Sequence, residues 1–115
     1  MVINRRWVQF ENMEVHFRNI YLERLYRGLH NPGKPKFDDK VIRVFRLRIK
    51  LFLSLDNTNQ LKQFKGLNFE ALKGDKKGLY SLRIDLKYRL EFSIDKNIIT
   101  LKEIILVENL SNHYK

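Results

Sequence analysis

The chain has 115 residues, no cysteine, an apolar fraction of 43% and a formal net charge of +10 at pH 7. That length supports one hydrophobic core rather than two, and the absence of cysteine excludes disulfides, thiol nucleophiles and cysteine metal sites. No apolar run reaches the length of a membrane span or opens the chain like a signal peptide, so the expectation is one domain over residues 1–115, cytoplasmic and without membrane contact.

Such basicity attracts polyanions or an acidic protein. Divided after Asn57, the two parts carry +6 and +4, so no basic tail accounts for the charge.

Residues 1–12 show no period and read as an N-terminal extension, with Met13 as an alternative start. Glu14-Val15-His16-Phe17 alternates and predicts a strand. Asn19 can cap a helix through Ile20, Leu22, Leu25 and Tyr26 that stops at Gly28. Residues 30–36, with two prolines and a glycine, read as a basic loop.

Asp38 or Asp39 can cap a longer helix from Lys40 to about Leu55. At about 100° per residue, Arg43, Arg46 and Lys50 share one narrow stripe of it. Ile42, Phe45, Ile49 and Phe52 form one apolar face; Val44, Leu47, Leu51 and Leu55 form a second. Such a helix must be covered on both sides, by a sheet and by either the first helix or a bound partner.

A polar stretch follows, leading to a lysine-rich turn at Gly74 to Gly78. Tyr80, Leu82 and Ile84 alternate with Ser81, Arg83 and Asp85, and Tyr88, Leu90, Phe92 and Ile94 alternate with Arg89, Glu91 and Ser93. These predict two strands with one wet face each. The last strand, Ile98 to Leu110, contains Ile104-Ile105-Leu106-Val107, apolar on both faces, and belongs inside the sheet. The pattern is α+β, ordered β-α-α-β-β-β, with a small, mostly antiparallel sheet and two helices packed on one face.

Side-chain parity leaves two registers for the hairpin. In one, Ile84 faces Tyr88 and Arg83 lies opposite Arg89, a like-charge pair that an intervening anion would stabilise. In the other, Asp85 faces Arg89 and Arg83 faces Glu91, giving internal ion pairs. Both put the two arginines on one face. With Lys73, Lys76 and Lys77 in the preceding turn, five cations can converge on a phosphate backbone. A solvated basic face is the competing reading.

Phe69-Glu70-Ala71-Leu72-Lys73-Gly74-Asp75, Gly78-Leu79-Tyr80-Ser81-Leu82-Arg83, Tyr88-Arg89-Leu90 and the terminal Asn112-His113-Tyr114 together resemble the HigB-like toxins of the RelE superfamily. The resemblance runs from about Glu14 to Tyr114. It implies the RelE-like fold and a type II toxin, a ribosome-dependent endoribonuclease that cleaves mRNA. Its implied partners are a cognate HigA-type antitoxin, the ribosome with its mRNA, and operator DNA reached through the antitoxin complex. Lys73, Arg83 and Arg89 match the family's lysine and its two strand arginines. Asp85 and the Asn-His-Tyr ending depart from relatives with asparagine at the first place and Asp-Tyr-His at the second.

RNA cleavage of this kind needs a base for the 2′-hydroxyl, charge stabilisation for the phosphorane and an acid for the 5′-oxygen. Arg83 and Arg89 suit the second task because a planar, permanently charged fork grips phosphate oxygens, and Lys73 can share it. His113 is the candidate for proton transfer, since its unperturbed pKa lies near neutrality at about 6.5. Tyr114 is better suited to stacking on a base. His16 and His30 read as structural or incidental.

No metal-ligand spacing and no Gly-rich nucleotide loop stands out, so no cofactor is expected. Lys76, Lys77, Arg43, Arg46 and Lys50 are candidate RNA or ribosome contacts. The alternative function is a non-catalytic basic module that binds nucleic acid or an acidic protein.

Overall fold

The computed structural model describes residues 12–112. The elements are β1 (Glu14–Phe17), α1 (Ile20–Arg27), α2 (Asp39–Ser54), β2 (Glu70–Ala71), β3 (Tyr80–Arg83), β4 (Arg89–Lys96) and β5 (Glu103–Ser111). The strands form one five-stranded sheet in the order β1-β5-β4-β3-β2. Only β1 with β5 is parallel; the other neighbours run antiparallel.

Both helix starts follow from side-chain caps. Asn19 Oδ1 accepts from the Leu22 N–H at 3.2 Å and Asp38 Oδ1 from the Val41 N–H at 2.9 Å. At its other end α1 stops where Gly28 takes φ +73°, a left-handed conformation that costs glycine little. Replacing Asp38 with Ala removes the cap of the long helix. Urea unfolding is expected to show a loss of about 1 kcal/mol, and an unchanged midpoint would show that the cap contributes nothing.

The helices lie on one face of the sheet. Val41, Phe45, Ile49 and Phe52 of α2 are buried with Leu82, Leu90, Phe92, Ile105 and Val107 of the strands. The rings of Phe52 and Phe92 meet edge-on at 4.9 Å. Arg48 of α2 donates from Nε to the carbonyl of Arg83 at 3.0 Å, tying the helix to the hairpin strand. Burial pulls its guanidinium below the usual value. Strand β5 lies inside the sheet between β1 and β4, as its run of Ile104 to Val107 predicts, with Ile105 and Val107 buried in the core and Ile104 and Leu106 partly exposed.

The structure differs from the sequence reading in two places and decides two points that it left open. The polar stretch after α2 is two 3₁₀ turns, Thr58–Gln63 and Lys65–Leu67, which bury Leu61 and Leu67, and it ends in the two-residue edge strand β2. Helical periodicity cannot report elements this short. β5 begins at Glu103 instead of Ile98, because Asn97 Oδ1 accepts the N–H groups of Ile99 and Thr100 and closes a turn there. Asp85 likewise serves a turn, accepting from Lys87 and Tyr88 at 2.9 and 2.7 Å.

That turn settles the third point, the register: Arg83 lies opposite Arg89, and the alternative with paired Asp85 and Arg89 is excluded. The fourth concerns the second apolar face of α2. Val44, Leu51 and Leu55 are partly buried against the core, while Leu47 remains 52% exposed.

Candidate nucleic-acid interface

Because Leu82, Leu90 and Phe92 point toward the helices, strand alternation sends Ser81, Arg83, Arg89 and Glu91 to the opposite face. Ser111 and Asn109 of β5 are register partners of Arg89 and Glu91 and join them. The result is a polar patch formed by β2, β3, β4 and β5. The two arginines stand directly across the strands from one another, where like charges disfavour each other by a few tenths to about 1 kcal/mol.

The arginines differ in their surroundings. Arg89 is 8% exposed, and its Nη2 donates to Asn68 O at 2.7 Å, Ser81 Oγ at 2.8 Å and Glu70 Oε1 at 3.0 Å. These acceptors fix its direction. Arg83 is partly exposed, and no carboxylate among the described residues pairs with its guanidinium. It is therefore the strand arginine that an incoming phosphate can meet without displacing a protein partner.

The turn before the hairpin supplies the lysines. Lys73 and Lys77 are exposed, whereas Lys76 reaches over the sheet and donates to Glu91 Oε2 at 2.6 Å. Lys76 and Glu91 line a cleft of about 330 Å³ with Asn109, Leu110, Ser111 and Asn112. His113 and Tyr114, the candidates for proton transfer and stacking, lie outside the described residues.

The α2 stripe does not join this patch. Arg43, Arg46 and Lys50 line a separate groove with Ile42 and Leu47 on the outward side of α2, so the sheet lies between them and the arginine face. Arg46 donates from Nε to Leu25 O at 3.0 Å and so ties the two helices. His16 sits on β1, at the far edge from β3, 3.1 Å from Glu14.

A family model described as the RelE-like toxin of the type II toxin-antitoxin system HigB matches residues 15–104. The chain belongs to the HigB-like toxins. The matched segment contains β1 from its second residue, both α-helices, the lysine turn and the hairpin with both arginines of this toxin. No curated protein matches the chain.

Among solved structures, the toxin is similar to a YoeB/ParE toxin from Agrobacterium tumefaciens, 18% identical over 89% of this chain and 100% of that one, with a TM-score of 0.53. A YoeB-YefM complex from Staphylococcus aureus is 20% identical over 90% of this chain and 99% of that one, with a TM-score of 0.49. At 18% identity the first likeness is one of fold. Among the described residues of the HigB-like toxin, no helix is long and apolar enough to cross a membrane.

Three residues of the polar patch escape a sequence reading of site chemistry: Glu70, Glu91 and Asn109. Glu91 is two positions from Arg89 on one strand, so alternation alone places it on the same face. Glu70 comes to Arg89 only through β2, and Asn109 comes to Glu91 only through the β4–β5 register.

Proposed function

We propose that this HigB-like toxin is a ribosome-dependent endoribonuclease that cleaves mRNA in the cytoplasm and is held inactive by a cognate HigA-type antitoxin. The reading is supported chiefly by one observation: Arg83 and Arg89 face each other across adjacent strands, one held by protein acceptors and the other without a carboxylate partner among the described residues. A phosphate between them would relieve their repulsion and accept hydrogen bonds from both forks.

In the proposed step the 2′-oxygen of the message attacks the adjacent phosphorus while its proton passes to a base. The bond from phosphorus to the 5′-oxygen breaks, and that oxygen takes a proton from an acid. The products are a 2′,3′-cyclic phosphate and a 5′-hydroxyl. His113 is the candidate for these transfers, because an imidazole can both accept and donate a proton. Arg83 and Arg89 hold the charge that grows on the non-bridging oxygens, and Tyr114 stacks on an exposed base.

Arg43 and Lys50 on the outward side of α2 would meet ribosomal RNA phosphates, which fix orientation without reading sequence. Their separation from the hairpin leaves the arginine patch to the message. Operator DNA would be reached through the antitoxin complex.

The test is incubation of purified toxin with ribosomes programmed with one defined message, followed by mapping of new 5′ ends. Cuts are expected inside the decoding site, with 2′,3′-cyclic phosphate ends, only when ribosomes are present, and they should disappear when antitoxin is added. A message left intact by stoichiometric toxin overturns the proposal. If the toxin still binds the ribosomes, the non-catalytic basic module takes its place.

A further inference from the structure

Glu91 is the more deeply buried of the two buried charged residues on the polar face, at 0% exposure against 8% for Arg89. An ionised carboxylate in such a place is costly unless its oxygens are paired. Here Oε2 accepts from Lys76 Nζ at 2.6 Å and Oε1 accepts from Asn109 Nδ2 at 3.2 Å.

Its effect is on Lys76. A lysine on a surface turn ordinarily samples many rotamers, and fixing one costs conformational entropy. The Glu91 carboxylate holds this ammonium over the cleft at 35% side-chain exposure, so a ligand arriving from solvent meets the cation before the buried anion. Glu91 is two positions from Arg89 on β4, so strand alternation puts the lysine it holds on the same face of the sheet as the arginines. Lys73 and Lys77 of the same turn make no ion pair with a described residue.

We propose that Glu91 is a positioning residue, preorganising Lys76 so that its ammonium, together with Arg83 and Arg89, meets the scissile phosphate. This rests on the ribonuclease reading. Lys76 donates hydrogen bonds to a non-bridging oxygen as charge accumulates there, while Glu91 touches no substrate.

The experiment measures single-turnover mRNA cleavage on programmed ribosomes for wild type, Glu91→Gln, Lys76→Ala, Lys76→Arg and the double variant Glu91→Gln/Lys76→Ala. Each of the two neutralising variants is expected to lower the maximal rate about tenfold, leaving half-saturation within about twofold, as for groups that act on the transition state. The double variant should lose no more than either single one, since the two residues act as a unit. Lys76→Arg, which keeps the charge, should retain most of the rate.

Losses that multiply in the double variant overturn the inference, as does a wild-type rate for Lys76→Ala. The second criterion holds even if Glu91→Gln fails to fold, because Lys76 lies on a surface turn. Wild-type toxin that leaves the message uncut removes the ribonuclease reading itself, whereas cleavage by wild type with unaffected variants removes only the role of this pair.

Discussion

Arg83→Ala is expected to lower mRNA cleavage about 100- to 1000-fold, the loss found when one preorganised donor to a developing oxyanion is removed, while leaving the fold intact. The same substitution removes a like charge opposite Arg89. Stability should therefore stay constant or rise by a few tenths of a kcal/mol. The two signs are opposed. A residue conserving only the fold would show the reverse, with stability falling and activity following it.

Two features make the experiment clean. The hydrogen bond from Arg48 goes to the main-chain carbonyl of Arg83, so it survives truncation of the side chain. No described carboxylate loses a partner. Arg83→Lys should fall between wild type and Ala, because an ammonium keeps the charge but lacks the two-pronged donor geometry. Single-turnover cleavage and thermal melting on the same preparations check both halves. An unchanged cleavage rate for Arg83→Ala would remove the arginine pair from the chemistry.

Phe52→Ala is expected to have the largest effect on stability, about 3–5 kcal/mol. Phe52 is 0% exposed and lies between α2 and the sheet, with its ring on Phe92. Phe92 also stacks with Phe69 at 6.1 Å and Tyr80 at 6.1 Å, so a cavity at Phe52 opens beneath an aromatic cluster that supports β3. Small proteins have total stabilities of about 5–15 kcal/mol, so this variant should melt roughly 10–20 °C lower or fail to accumulate. Differential scanning calorimetry decides it, and a midpoint within a few degrees of wild type would show that the core closes over the gap.

The two predictions separate the faces of the sheet. Arg83 should act on chemistry with little effect on stability, and Phe52 on stability with chemistry lost only as folded protein is lost. Both sit on or against the same hairpin. Strand alternation sends successive residues to opposite sides, so one substitution reaches the site and the other reaches the core.

Much of the scaffold was legible because its signals are local or periodic. Asn19, Gly28 and Asp38 mark helix ends through bonds to neighbouring backbone, and the spacing of Phe45, Ile49 and Phe52 marks the buried side of α2. Alternation in the hairpin put Arg83 and Arg89 on one face whichever register held. The run of Ile104 to Val107 announced a strand inside the sheet, and β5 lies between β1 and β4.

The limits were equally physical. Parity allowed two registers, and the choice came from Asp85, whose carboxylate closes the turn and so cannot face Arg89 across the strands. Edge strand β2 is two residues long, too short for any period, yet it delivers Glu70 to Arg89. Ile98 and Ile99 look like strand residues by composition but form an exposed turn because Asn97 captures the nearby amides.

By itself the sequence determined the two α-helices and four of the five strands, the apolar side of the hairpin strands, and that two arginines share a wet face, since these properties depend on neighbours a few positions apart. Only the tertiary structure decided that Arg89 is buried among Asn68, Glu70 and Ser81, that Glu91 holds Lys76, and that the α2 stripe lies across the sheet from the hairpin. Each of these joins residues distant in the chain. Chain folding sets such distances through strand order and loop paths, which no spacing in the sequence encodes.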